Sequence, residues 1–212
     1  MSQGTLPNLL LNRRTAHPLG VAMALVTDNK DAEGLGRVKV KFPWLDESDE
    51  SHWARIVTPM AGKDCGLYLL PEVGDEVLIA FEQGSVDHPY VLGSLWNGVD
   101  KPPDANADGK NNHRFLKSRS GHMVRLDDTE GAEKIQIIDK SGKNNITIAT
   151  ADNSITIHAA GNVKVEAQGK LTLTGAGVEI TSTAAVAIKA SQDINVTASG
   201  QASIKGSLIN LN

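Results

Sequence analysis

Apolar residues in the last third of the chain come in spaced pairs: Ile146/Ile148, Ile155/Ile157, Val163/Val165, Leu171/Leu173, Val178/Ile180, Val186/Ile188, Ile194/Val196, Ala202/Ile204 and Ile209/Leu211. Successive pairs begin 9, 8, 8, 7, 8, 8, 8 and 7 residues apart. Side chains two residues apart on a strand share a face, so each pair predicts a short strand with both apolar members on one side. Turn formers such as Ala160-Gly161-Asn162 and Ala198-Ser199-Gly200 separate the pairs. A fixed short period of this kind predicts a repeat architecture.

With two apolar groups per unit, one chain would leave its strand edges open and its apolar face wet. Three identical chains wound about a common axis would give every strand neighbours and bring the apolar pairs together at the centre. The expected trimer core is therefore the pairs from Ile146 to Val196 together with Ile204. The competing arrangement is a meander of ordinary hairpins, which favours Asn-Gly or Asp-Gly turns, and neither dipeptide occurs after Ile146. About ten strands per face at the usual inter-strand spacing would make such a prism on the order of 50 Å long.

Upstream, the pattern is also all-β. Short strands are predicted over 21–27, 36–42, 53–57, 66–70, 76–81 and 90–95, punctuated by Gly and Pro. The segment 36–42 alternates strictly, with Val38, Val40 and Phe42 on one face and Arg37, Lys39 and Lys41 on the other. That number of strands in so short a stretch predicts a small closed barrel. A polar, Pro-rich stretch from Lys101 to Arg114 reads as a linker. The alternation in Met123-Val124-Arg125-Leu126 and Ile135-Gln136-Ile137 suggests that the repeat region starts before Ile146. The resulting division is an N-terminal arm 1–17, a barrel 18–100, a linker 101–114 and a needle 115–212.

Composition sharpens this division. Every aromatic residue lies from Phe42 to Phe115 and every proline at or before Pro103. The needle would thus be filled by Val, Ile, Leu and Ala alone. Residues 1–145 carry 17 Lys+Arg against 21 Asp+Glu, and residues 146–212 carry 4 of each, so neither part has the basic surplus of a nucleic-acid binder. The single Cys65 excludes an intramolecular disulfide framework and a cysteine-based zinc site. No run of about 18 apolar residues predicts a membrane-spanning helix, and the N-terminus lacks the basic-then-apolar pattern of a signal peptide.

Candidate chemistry is sparse. The barrel aromatics Phe42, Trp44, Trp53, Tyr68, Phe81, Tyr90 and Trp96 mostly sit at alternating positions and read as core, not as a base-stacking platform. The acidic run Asp46-Glu47-Ser48-Asp49-Glu50 reads as a solvated loop, and Glu72, Asp75 and Glu76 flank a glycine turn, so no carboxylate pair stands out for glycoside hydrolysis. No nucleophile elbow or Ser-His-Asp signature is present. His17, His52, His88, His113, His122 and His158 form no chelating pair, and His158 is expected to point outward. No catalytic residue, metal or cofactor is expected.

Four segments, in this order, carry a resemblance: Gly34-Leu35-Gly36-Arg37-Val38-Lys39-Val40; Trp53-Ala54-Arg55-Ile56-Val57-Thr58-Pro59-Met60-Ala61-Gly62; Pro71-Glu72-Val73-Gly74-Asp75-Glu76-Val77; and His88-Pro89-Tyr90-Val91-Leu92-Gly93-Ser94-Leu95-Trp96-Asn97. Followed by the octad tail, they resemble the VgrG and phage baseplate protein V family. The resemblance implies an oligosaccharide/oligonucleotide-binding (OB) barrel followed by an intertwined trimeric β-helix. It implies a central spike of a contractile injection machine: a phage tail, tailocin, type VI system or extracellular injection particle. Such a particle is assembled in the bacterial cytoplasm and then released or injected, piercing a target envelope. Only about 18 residues precede the barrel, so the hub of type VI members is expected on a separate protein or outside this sequence. No additional domain separates barrel and needle, so the lysozyme of some phage spikes is not expected. The ending lacks the His-x-His of iron-capped tips, which implies that Leu208, Ile209, Asn210, Leu211 and Asn212 seat a PAAR-type tip protein. Implied partners are two further copies of the chain, a hub at the barrel end and that tip, with target membrane touched only in passing and no nucleic acid. The alternatives are a β-helical receptor- or glycan-binding tail spike and a spike with cell-wall-degrading activity.

Overall fold

A computed structural model of the 212-residue chain describes residues 20–44 and 50–210. The expected arm 1–17, with His17, and the loop residues Asp46, Glu47, Ser48 and Asp49 lie outside the described residues, as do Leu211 and Asn212. Among the described residues the chain is all-β apart from one 3-10 turn, Glu82–Gly84. It divides into two compact units after Ala160.

The first unit opens with the barrel. Its strands are β1 (Val21–Asp28), β2 (Lys39–Lys41), β3 (Arg55–Ile56), β4 (Ala61–Gly62), β5 (Cys65–Gly66), β6 (Glu76–Phe81) and β7 (Pro89–Ser94). The principal sheet runs β2-β1-β6-β7-β3. The antiparallel bridge Val38↔Ala54, at the starts of β2 and β3, joins its two ends, with Lys41↔Glu50 beyond it, so the principal sheet closes among the described residues. Inward positions carry Ala24, Val26, Val38, Val40, Ala54, Val77, Ile79 and Val91, all essentially buried, with Phe42 at one end. Small and β-branched side chains suit the narrow lumen of a five-stranded barrel.

The expected faces of 36–42 are thus as observed, but the aromatic reading is corrected. Of the aromatics expected in the core, Phe42 is buried and Phe81 packs partly against it, while Trp44, Tyr68 and Trp96 are exposed. Trp53 points outward because its neighbour Ala54 occupies the inward position, and Arg37 and Lys39 cover its ring. The strand expected at 66–70 is also different: only Cys65–Gly66 pairs, returning on Ala61–Gly62 in a small hairpin. Gly66 adopts φ +153°, and a Cβ there would stand 2.6 Å from the Met60 carbonyl oxygen, so this return needs glycine.

After an irregular stretch, five strands follow in sequence order: β8 (His113–Lys117), β9 (Met123–Asp127), β10 (Lys134–Ile138), β11 (Asn145–Ala149) and β12 (Ser154–His158). Each pairs antiparallel with the next in a meander. The turns are built locally. In the β10–β11 turn, Asp139 accepts from the Asn144 backbone and side chain and from Ser141, while Gly142 takes φ +71°. Asn153 supplies the left-handed residue before β12. The Arg119 guanidinium reaches Glu72 at 2.9 Å, tying the β8–β9 turn to the barrel.

The second unit, from Gly161, carries no strand among its described residues. Its backbone bends at 160–161, 168–169, 175–176, 183–184, 191–192, 199–200 and 207. Each bend falls between two apolar pairs, in phase with the octads of the sequence. Over residues 115–210, then, the described backbone is a hairpin meander through His158 and bends in octad phase after it.

Candidate assembly surfaces

Strands β8–β12 expose the face that a soluble sheet would bury. Cross-strand register lines up Leu116, Val124, Ile137, Ile146 and Ile157 in one row and Leu126, Ile135, Ile148 and Ile155 in the next. All of these side chains are between 40% and 70% exposed. The polar face is the better covered one along β9, β10 and β11. There the Arg125 Nε donates to Gln136 Oε1 at 3.2 Å, and Gln136 Nε2 donates to Thr147 Oγ1 at 3.1 Å. This ladder fixes the register of three strands, and so fixes which side the aliphatic rows occupy. A contiguous aliphatic face of this kind marks a surface that another body covers.

One corner of the sheet is held by charge. Asp127 is the buried polar residue of the described chain. Its carboxylate accepts from the Thr129 hydroxyl at 2.6 Å, with Lys134 Nζ at 3.6 Å and His113 Nε2 at 3.7 Å. The Thr129 hydroxyl, aided by the Thr129 backbone N–H and the Lys134 ammonium, holds the Asp127 carboxyl below the usual range despite burial. On its other side His113 Nδ1 meets Asp104 Oδ2 at 2.6 Å. The Asp104 carboxyl is lowered too, first by the Asn106 backbone N–H and then by His113. This chain of contacts pins the stretch before β8 to the edge of the meander.

The sequence-predicted core residues fall into two groups. Ile146, Ile148, Ile155 and Ile157 join the aliphatic face of the meander on β11 and β12. Val163, Val165, Leu171, Leu173, Val178, Ile180, Val186, Ile188, Ile194, Val196 and Ile204 lie in the bent segment, each between 55% and 82% exposed. Of the expected tip residues, Leu208, Ile209 and Asn210 are exposed. His158 is exposed at the end of β12. Leu116, Val124, Leu126, Ile135 and Ile137 were not among the predicted core residues, yet they share the face of the four isoleucines. Their strict alternation is the signal that identifies them.

A further apolar surface lies on the barrel. Leu35, Met60, Leu67, Tyr68 and Leu69 border a groove of about 790 Å³ beside the Ala61–Gly66 hairpin, and all are exposed. Among the described residues, no group of three or more His, Cys, Asp or Glu side chains could hold a metal ion. No helix among them is long and apolar enough to cross a membrane.

Residues 22–96 match the type VI secretion system/phage-baseplate injector OB domain. The chain is 33% identical over 135 residues to the type VI secretion system spike protein VgrG1a of Pseudomonas aeruginosa, covering 57% of this chain and 20% of that protein. It is 35% identical over 117 residues to VgrG1b of the same organism, covering 48% of this chain and 15% of the relative. It is 37% identical over 82 residues to the spike protein VgrG3 of Vibrio cholerae, covering 37% of this chain and 8% of the relative. The chain thus spans a fifth or less of the length of each of these relatives.

Proposed function

We propose, from the injector OB domain matched over residues 22–96 and the similarity to VgrG spike proteins, that the chain is a member of the VgrG/phage baseplate protein V family and the homotrimeric central spike of a contractile injection apparatus. The observation that carries this reading is the pairing of exposed aliphatics with a backbone that bends in the same octad phase. A single chain gains little from ordering such a segment, since its apolar pairs stay wet and its extended backbone finds no ladder. Three copies remove both costs together. Strands from neighbouring copies supply the hydrogen bonds, and the pairs from Val163 to Ile204 meet at the axis. The aliphatic rows of the meander are a further exposed face that assembly would cover.

The function that follows is mechanical. An interlocked prism resists local bending, because no strand can leave without breaking contacts to two other chains. Sheath contraction then drives the particle with this spike at its front through a target envelope, and the force comes from behind. On this reading the chain catalyses no reaction. A hub protein seats on the barrels, whose groove beside the Ala61–Gly66 hairpin offers an apolar surface, and a tip protein of the PAAR type seats on the C-terminal residues.

The test is the mass of the full chain in solution by size-exclusion chromatography with light scattering. The expected result is three copies of the 22.5 kDa chain. A monomer across the accessible concentration range overturns the reading.

A further inference from the structure

One apolar stretch of the barrel has no ladder. The sequence predicts a strand over 66–70, yet only Cys65–Gly66 pairs. Leu67 is still held, donating its backbone N–H to Met60 and accepting from the Thr58 hydroxyl. Tyr68, Leu69 and Leu70 after it make no backbone hydrogen bond among the described residues. Open N–H and C=O groups in a row are what an added strand pairs with.

These residues line the groove of about 790 Å³ beside the Ala61–Gly66 hairpin. Leu70 packs on the barrel core, while Leu67, Tyr68 and Leu69 are exposed. The Tyr68 ring lies over Gly36, 3.5 Å from where a Cβ would stand. Leu35, Val57 and Met60 add exposed apolar side chains, and Asp64 is the charged residue of the lining. An apolar concavity with unpaired backbone along it suits an extended aliphatic segment without acidic charge.

The chain carries such a segment. Residues 1–19, outside the described structure, hold Leu6, Leu9, Leu10 and Leu11 and no Asp or Glu, and Arg13 and Arg14 follow the leucines. The leucines match the groove, and the arginines are opposite in sign to Asp64. Length matches as well. Val21 at the start of β1 pairs with Ala80 on β6, and Ser94 in the groove lining pairs with Val77 on the same strand. At the usual rise and strand spacing, those pairings put the groove on the order of 20 Å from the start of β1. The nine residues between Leu11 and Val21 can span about 30 Å.

We propose that residues 9–11 lie in this groove on the barrel of their own chain, paired with the backbone of residues 68–70. The leucines then leave water as the open backbone groups gain partners. The contact is made within one chain and is independent of how many copies assemble. It refines the surface offered to a hub, which meets the arm there instead of a bare groove.

Cys65 supplies the probe, since it is the chain's single cysteine, free, exposed and in the groove lining. Full-length Leu11→Cys is oxidised mildly beside Ser2→Cys, a control on the same arm outside the leucine run. The products are read by non-reducing electrophoresis and peptide mass spectrometry. The expected result is a disulfide between position 11 and Cys65 of one chain, formed about tenfold faster than from position 2. In the parent protein, a maleimide should label Cys65 about tenfold more slowly than in the Leu9→Asp/Leu11→Asp double variant, because the arm shields the thiol until it lifts away. Circular dichroism and the light-scattering mass establish that each variant is folded and assembled as the parent is, so failure here is distinct from failure of the spike reading. No disulfide from position 11, or equal rates from positions 2 and 11, overturns the proposal. So do disulfides formed only between chains, which would assign the groove to a second copy, and Cys65 labelling unchanged in the double variant.

Discussion

Asp31 illustrates how much of the barrel rests on single polar residues. Both its carboxylate oxygens accept from Arg37, through Nε and Nη2 at 2.8 Å, and it also takes the backbone N–H groups of Glu33 and Leu35. Its side chain is 4% exposed. The Arg37 guanidinium foremost holds this carboxyl well below the usual carboxylate range. Because the folded-state value is depressed, the stabilisation is fully present above the unfolded value of about 3.9. It is lost as pH falls from there through the folded value. Asp31→Asn should therefore destabilise the barrel near neutral pH, and its deficit against the parent should shrink as pH falls below about 4. Urea denaturation of both proteins across that range checks it; a deficit independent of pH would assign Asp31 a steric role.

Gly66 sets a limit of a different kind. Gly66→Ala should lower stability by roughly 1–3 kcal/mol, since the new methyl would meet the Met60 carbonyl at 2.6 Å. Thermal unfolding with mass monitored in parallel gives the answer. An unchanged melting temperature would mean the Ala61–Gly66 hairpin yields freely. The residue pattern foreshadowed neither feature. Asp31 stands in a loop with no periodicity, six residues before Arg37 on the alternating segment, and the close approach at Gly66 is created by the folded chain.

At the scale of elements, the meander combines ordinary strand chemistry with an inverted exposure pattern. Its aliphatic rows are exposed while Arg125, Gln136 and Thr147 are half-buried. Ile137→Asp places a charge in the middle of one row, and Val165→Asp does so in an octad pair. If these faces close on one another in the trimer, each substitution should abolish assembly, because an uncompensated carboxylate would be buried in every copy. Trimer of normal mass and yield from either variant would show that its face points to solvent. Alternation made the strands of this region legible in the sequence, but not the way they pair. A two-residue period reads the same in a hairpin as in a prism. The discriminating signal lay in the spacing of strand starts, since β9, β10 and β11 begin at Met123, Lys134 and Asn145, wider than the octads that follow. That wider interval gives room for the turns that Gly131 and Gly142 help close.

For the whole molecule, the spike reading predicts separable ends. Removing residues 207–212 should leave the trimer intact yet abolish capture of a PAAR-type tip protein in co-purification. Unchanged capture would move the tip site elsewhere. The repeat period, the barrel's alternating strand and the split between an aromatic-bearing and an aromatic-free half are properties of residue order, so the sequence alone determined the all-β class and the octad phase. Tertiary structure decided the rest. Closure through Val38↔Ala54 turned Trp53 outward, and antiparallel pairing gathered Leu116, Val124, Leu126, Ile135 and Ile137 onto the face of the four isoleucines. The physical reason is range: periodicity is written between neighbours along the chain, whereas which strand lies beside which is settled by register and turn geometry acting between segments far apart in sequence.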